Sequence, residues 1–499
     1  MIKLKLKVRN LGISTGGPLV AALHKDDASV FDINPMDRIK IFFGRKVETV
    51  VADIASGSAE VKKGMIGLFQ EVSDILGMKN GQNVSIMLAR KPISLDYIKK
   101  KLDGSSLSKQ EIDQVVWDIV HNKLSDTELA FFVAATYCNP NTVEETVWLT
   151  KAISEEGERL RVNSKIVLDK HSIGGIPGNR TTMVVVPIMA ASGYTLPKTS
   201  SRAITSAAGT ADTMEVIAKV DIPIPEMEKV IRKTGACIVW GGAINLAPAD
   251  DKIINVEKTL RIDAESQLLA SILAKKRSVS SSHVLIDIPI GKNAKVSTAR
   301  KARSLKEKFE KIGKALGMKI GVMITDGSQP IGNGIGPALE ARDVLKVLRH
   351  DPDRPLDLEK KCIAMSAALF SIVGVKDGAR KATEILYSGK AYSKMKEIIA
   401  LQGGNPEVTP ESIRIAKLEY SFPAKKSGKI VEINNGDIAK LARIAGAPQN
   451  KSAGIYLYKH VGDHVRKGEN IFTIYSDTDS KIEYAKQILK SMDGVISIR

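Results

Sequence analysis

Cysteine is scarce: Cys138, Cys237 and Cys362 are the only three in 499 residues. No two have zinc-ligand or Cys-x-x-Cys spacing, and an odd count does not suit a disulfide framework. A reducing cytoplasm is the expected compartment. Aromatic residues are few, at 5%, which weakens any reading as a base-stacking protein. Long apolar runs are missing. The most apolar stretch, 183–191, is too short to span a membrane and contains Pro187. Residues 1–13 alternate apolar and basic side chains, so a strand is expected there and not a signal peptide. Acidic residues are outnumbered, leaving a formal net charge of +18. That surplus suits an anionic partner, either nucleic acid or a small substrate, and it equally suits a Lys-rich soluble surface. No basic stripe is interleaved with aromatics, so nucleic acid and membrane are both set aside as partners.

What is there is ordinary globular usage, 43% hydrophobic and 26% charged, in a chain long enough for about three domains. Residues 1–91 carry period-2 runs at 2–8 and 84–88 between turns, with one helix expected over 63–76. They form a small β-rich domain, and Pro92 follows as a linker. Residues 92–162 turn helical. Ser108 with Glu111, and Ser125 with Glu128, have capping-box spacing. Val115, Ile119, Leu129, Phe132 and Val133 then recur at helical spacing.

From 163 to 419 short apolar runs alternate with helical patterns, which predicts an α/β lobe with a mainly parallel sheet. The strands are expected at 167–169, 183–187, 236–239, 284–288 and 320–325. Residues 300–317 are basic with Leu305, Phe309, Ile312 and Leu316 on one face, a solvated amphipathic helix. Residues 420–499 return to β, an α+β sandwich domain. Its turn-rich 461–469 stretch has no lysine placed as a carrier, so a structural role is expected.

Three stretches carry chemistry. The first, Asp169-Lys170-His171-Ser172-Ile173-Gly174-Gly175-Ile176-Pro177-Gly178-Asn179-Arg180-Thr181-Thr182, follows an apolar strand and runs into a helix starting near Thr181. Glycine turns let backbone N–H groups face an anion, and the helix N-terminus adds a favourable dipole. It is neither a P-loop nor a dinucleotide fingerprint, and a structural glycine turn has the same outline. The second, from Ser200 to Glu215, is rich in hydroxyls: Ser201, Thr205, Ser206, Thr210 and Thr213 surround Arg202, Ala203 and Ile204. It suits a polyanion, or a plain surface loop. The third, 262–276, is a helix on which Ser271 and Lys275 share a face. Asp263 lies near its start, where it acts either in chemistry or as a cap.

These stretches resemble the thymidine/pyrimidine-nucleoside phosphorylase family, whose S-S-R-A-I and A-A-G-T-x-D-x-M-E signature fits 200–215. The first stretch resembles that family's phosphate loop. The phrase Leu246-Ala247-Pro248-Ala249-Asp250-Asp251-Lys252 and the helix ending Ala274-Lys275-Lys276 also match, so the resemblance covers 94–499. Two departures, the longer Gly174–Thr182 loop and the added 1–91 domain, resemble its archaeal nucleoside-monophosphate branch. The resemblance implies a second helical segment at about 247–280, joining 92–162. It also implies a homodimer or larger homo-oligomer, and substrate closed off from water between lobes.

The implied reaction is phosphorolysis: AMP and phosphate give adenine and ribose 1,5-bisphosphate, with CMP and UMP as further substrates, in nucleotide salvage. Lys170, Ser172, Gly175, Thr182 and Thr210 are the implied phosphate ligands. Ser201 to Ser206, Ser271, Lys275 and Lys295 complete the implied substrate site. Arg180, Arg202 and Lys295 are all candidates for the 5′-phosphate, and the sequence leaves their assignment open. Asp263 is the implied proton donor, provided that burial raises its pKa, with His171 as the other candidate. No cofactor and no metal are expected, inorganic phosphate being the co-substrate. Three alternatives stand beside this: a nucleic-acid-binding protein, suggested by the net charge of +18 and disfavoured by the missing basic stripe, and two enzymes. One is a thymidine or uridine phosphorylase. The other is an anthranilate-phosphoribosyltransferase-like enzyme, which would need an acidic pair for magnesium that the sequence does not offer.

Overall fold

The structure, a computed structural model, describes residues 3–16, 19–55, 61–203, 206–492 and 494–499. Two compact units emerge: Met1–Glu156 with Pro248–Ala270, and Gly157–Ala247 with Ser271–Arg499.

The first unit opens with a closed barrel. Its strands run in the order Leu4–Asn10, Met65–Leu68, Val20–His24, Lys46–Ala55, Arg38–Phe43 and Asn83–Leu88. Two of the pairings are parallel, Leu4–Asn10 with Met65–Leu68 and Val20–His24 with Lys46–Ala55. The alternation read at the N-terminus holds: Leu6 and Val8 are buried while Lys5 and Lys7 face water. Closure leaves no free sheet edge. The helix expected over 63–76 is two elements, the strand Met65–Leu68 and the helix Gln70–Leu76. Ile66 and Leu68 point into the barrel core beside Leu23, Ile39 and Ile86. A short apolar run fits either period, and here sheet pairing outweighs helical propensity.

The helical part follows. Lys109–Val120 and Asp126–Cys138 begin in the two expected capping boxes, and Val143–Glu155 begins in a third formed by Thr142 and Glu145. Glu145 is fully buried and also receives Lys101 at 2.8 Å. The helix Pro248–Leu260 joins this bundle through Lys252. Its ammonium donates to the carbonyls of Ile119 and Val120 at 2.7 and 2.8 Å, where a helix C-terminus favours a cation. Arg38 ties the barrel to this bundle through Glu128.

In the second unit three parallel strands, Lys319–Asp326, His283–Ile290 and Leu168–Ser172, form one sheet. A second parallel pair, Leu196–Ser200 with Ala236–Trp240, continues it. The two are joined by a bridge between Val167 and Thr195. The strand expected at 183–187 is instead the helix Thr182–Ala191, buried along its length except at Ala191. A helix packed on every side is apolar all round, so its sequence shows no period. Residues 300–317 form the amphipathic helix Ala299–Ala315 as read, with Leu305, Phe309 and Ile312 buried.

Beyond residue 417 two sheets and two helices enclose a separate core. The first sheet takes in the two-residue strand Gly334–Ile335, donated by the preceding α/β part. No helix among the described residues is long and apolar enough to cross a membrane.

Candidate active site

The glycine loop leaves the end of the strand Leu168–Ser172 and enters the helix Thr182–Ala191, whose start has no side-chain cap. The Met183 and Val184 amides close tight turns on the Arg180 and Thr181 carbonyls at 3.1 and 3.2 Å, so the helix start offers its dipole to an anion more than open N–H groups. Two glycines shape the loop. Gly175 has φ +92° and lies against the backbone nitrogen of Lys295, where a Cβ would come within 3.0 Å. Gly178 has φ +72°, and a Cβ there would collide with the Ile331 carbonyl. Gly178→Ala is therefore expected to cost about 2 kcal/mol or more. Urea unfolding reads this directly, and a change within about 0.5 kcal/mol would show the loop is not clamped there.

Lys170 lies under the loop, 2% exposed. Its ammonium donates to the hydroxyls of Thr181 at 2.7 Å and Thr182 at 3.3 Å. Burial pulls its pKa down to about 8, against the opposing pull of Asp287, with Lys361 and Arg180 adding to the depression. Behind it, fully buried Asp169 meets two more buried lysines, Lys276 at 2.8 Å and Lys198 at 3.5 Å. Next along the strand, Ser172 donates to Asp287 at 2.8 Å and accepts from Asn179 at 3.3 Å. Asp287 also accepts from Thr325 at 2.6 Å and lies 3.4 Å from Lys361. His171 is partly buried. Burial, then Lys276, Lys198, Lys275 and Lys170, hold its pKa well below the usual 6.5. The imidazole is thus neutral near pH 7, which suits hydrogen bonding better than proton donation.

The hydroxyl-rich segment is organised by carboxylates. Arg202 grips Glu215 at 2.6 and 2.7 Å, reaches Asp212 at 3.4 Å, and stacks on Trp240. Asp212 also accepts the backbone N–H groups of Ala203 and Gly209. Arg180 is buried and bonded to Glu340, to the Ala208 carbonyl at 2.6 Å and to Thr210 at 3.2 Å. Glu340 accepts from Thr213 at 3.0 Å as well. Both arginines singled out for anion binding are therefore already held by carboxylates. They join segments. Ser201 is exposed and Ser206 bonds the Ala208 carbonyl, while Ile204 and Thr205 lie outside the described residues.

On the helix Glu265–Ser278, Ser271 and Lys275 are partly buried on one face. Lys275 is close enough to bear on His171. Asp263 precedes this helix, in the first unit, and is exposed, so the chain alone does not supply the burial expected of a proton donor. The side chain of Lys295 is exposed.

Sequence reasoning assigned no role to Asp169, Asn179, Lys198, Lys276, Asp287, Thr325, Glu340 or Lys361. Asp169, Asn179 and Lys276 stood inside quoted motifs, but nothing local says what they face. Around the glycine loop the described residues set five cations, Lys170, Arg180, Lys198, Lys276 and Lys361, against three carboxylates, Asp169, Asp287 and Glu340. Buried charge is tolerated when paired, so this site carries a positive surplus fit for an anion.

The family models agree with this layout. Residues 95–157 match the helical bundle domain of a glycosyl transferase family, and 164–392 match its a/b domain. Residues 429–495 match the pyrimidine nucleoside phosphorylase C-terminal domain. The AMP phosphorylase of Thermofilum pendens is 43% identical over 99% of this chain and 95% of its own length. That of Thermococcus kodakarensis is 45% identical over 97% of this chain and 95% of its own. The chain belongs to the AMP phosphorylase family. A further relative, from Legionella pneumophila strain Paris, carries the name putative thymidine phosphorylase and is 41% identical over 98% of this chain and 95% of its own length. Among solved structures, the anthranilate phosphoribosyltransferase of Thermus thermophilus matches with TM-score 0.52 and 19% identity. It covers 62% of this chain and 100% of that one, a likeness of fold alone. AMP phosphorylase family membership explains why the anion loop and the hydroxyl-rich segment occur together.

Proposed function

We propose that this chain catalyses phosphorolysis of nucleoside 5′-monophosphates: AMP and inorganic phosphate give adenine and ribose 1,5-bisphosphate, with CMP and UMP as further substrates. The observation that carries the reading is the buried cation surplus around the Lys170 loop, in a chain whose relatives include AMP phosphorylases. A phosphate oxygen bonds to C1′ as the bond from C1′ to the base breaks. The electron pair leaves with the base, which takes up a proton. Lys170 and the Thr182 hydroxyl hold phosphate and stabilise its charge. Ser172 turns its hydroxyl from Asp287 toward phosphate. Ser271 and Lys275 hold the base. The 5′-phosphate falls to the 201–206 segment and Lys295 on the strength of the resemblance.

Asp263 is the proton donor on the strength of the resemblance. His171 is less suited, because its surroundings keep it deprotonated. The chain works without a cofactor, as a homodimer or larger homo-oligomer in the cytoplasm, an assembly whose size light scattering reads. The name of the Legionella relative favours a second reading, action on thymidine. Phosphorolysis of AMP, CMP, adenosine and thymidine, following released base and sugar phosphate, separates the two. The nucleotides are expected to react at least about a hundredfold faster, the worth of two charge-assisted contacts to a phosphate. Equal rates with thymidine would establish the second reading instead.

A further inference from the structure

Lys198 has no place in the reaction just described, yet it lies in the strand beside the phosphate loop and is 4% exposed. Its Nζ donates to the Thr199 carbonyl at 2.7 Å and stands 3.5 Å from Asp169 Oδ1. That carboxylate is already occupied. Oδ1 accepts the Lys170 backbone N–H at 2.6 Å, and Oδ2 faces the Lys276 ammonium at 2.8 Å. The charge of Lys276 also bears on Lys198 and disfavours its protonated form. The neighbouring titratable groups leave the Lys198 charge unmatched. Along the strand Leu168–Ser172 stand anionic Asp169, cationic Lys170 and neutral His171. The helix Glu265–Ser278 presents Lys276. On the strand Ala236–Trp240, burial pushes the Cys237 thiol up to about 12, so it carries no charge near pH 7.

A second ammonium on one buried carboxylate is costly unless another anion arrives. The geometry points to Lys198 as the adjustable charge of the phosphate site: it takes up one proton from solvent when a dianion binds at the Lys170 loop. The assignment rests on the anion-site reading above. Burial, only partly offset by Asp169 and reinforced by Lys276, brings the Lys198 pKa to about 7. The group is therefore partly neutral near pH 7 and ready to become charged. The protonated form adds attraction when the site fills, and the neutral form relieves repulsion when it empties.

Sulfate is the probe, because it stays dianionic across the working range and adds no proton of its own. Titration calorimetry near pH 7.5, in buffers of different ionisation enthalpy, counts the protons taken up per sulfate bound. Wild-type protein is expected to take up protons, with Lys170 contributing its own share. Lys198→Met is expected to take up fewer and to bind sulfate roughly tenfold more weakly below pH 7, where wild-type Lys198 is charged. Lys198→Gln should behave alike and guards against misfolding of the first variant. Removing a lysine with a depressed pKa is expected to leave stability below pH 7 equal or higher, since the folded state there bears the cost of burying the charge. Unchanged proton uptake and affinity in a folded variant would overturn the role of Lys198 while leaving the anion site intact. If wild-type protein binds neither sulfate nor phosphate, the site reading falls and this inference with it.

Discussion

Lys170→Met is expected to lower kcat/KM for phosphorolysis by about a thousandfold, the loss of one preorganised charged donor in a buried site. The side chain is buried, and its ammonium donates to the Thr181 and Thr182 hydroxyls. Its charge is therefore available to a ligand rather than consumed by a carboxylate contact. The same burial sets a pH signature. With the pKa brought down to about 8, phosphate binding to wild-type enzyme should weaken as pH rises through that value. The linkage sign is the reverse of an ordinary ion pair. The ordinary lysine value is 10.5, so between about 8 and that value the unfolded chain holds the extra proton and stability rises with pH. Below about 8 the folded state bears the full cost of the buried charge. Lys170→Met should then be the more stable protein at neutral pH while being nearly inactive, a separation familiar where function stores strain. Steady-state kinetics and urea unfolding on the same preparations test both halves. A variant with activity within about tenfold of wild type would remove Lys170 from the phosphate site.

Glu340→Ala should cost about 3–5 kcal/mol of stability, because it strands a buried guanidinium. Glu340 is 1% exposed and accepts from Arg180, Thr213 at 3.0 Å and the Gly336 backbone at 3.2 Å. Arg180 in turn holds Ala208 and Thr210. One carboxylate thus fixes the end of the glycine loop to the hydroxyl-rich segment. Phosphate KM should rise with the stability loss, and Arg180→Ala combined with Glu340→Ala should cost less than the sum of the two. Additive losses in the double variant would mean the two residues act independently.

The glycine loop is legible in outline because its signals are local. A strand, three glycines, hydroxyls and a lysine within 169–182 dictate a turn whose amides and cation converge, whatever surrounds it. Capping at Ser108 and Ser125 is legible for the same reason, since the box closes within four residues. Arg180 and Arg202 are legible as cations but not as partners of Glu340 and Glu215, because the 160-residue separation of the first pair is bridged only by folding.

By itself, the sequence determined the alternation of strand and helix, the separate β-rich beginning and end, and the segments that carry anion chemistry. These follow from short-range periodicity, turn residues and hydroxyl spacing. Tertiary structure alone decided that 65–68 would be a barrel strand and 182–191 a buried helix. Both are short apolar runs whose conformation is chosen by what they pack against. It also decided the charge state of the site. Lys198, Lys276 and Asp169 come from three distant stretches, and the sheet and the helix Glu265–Ser278 bring them together out of water. There the cost of burying charge, which no sequence position displays, sets which group is neutral and which waits for an anion.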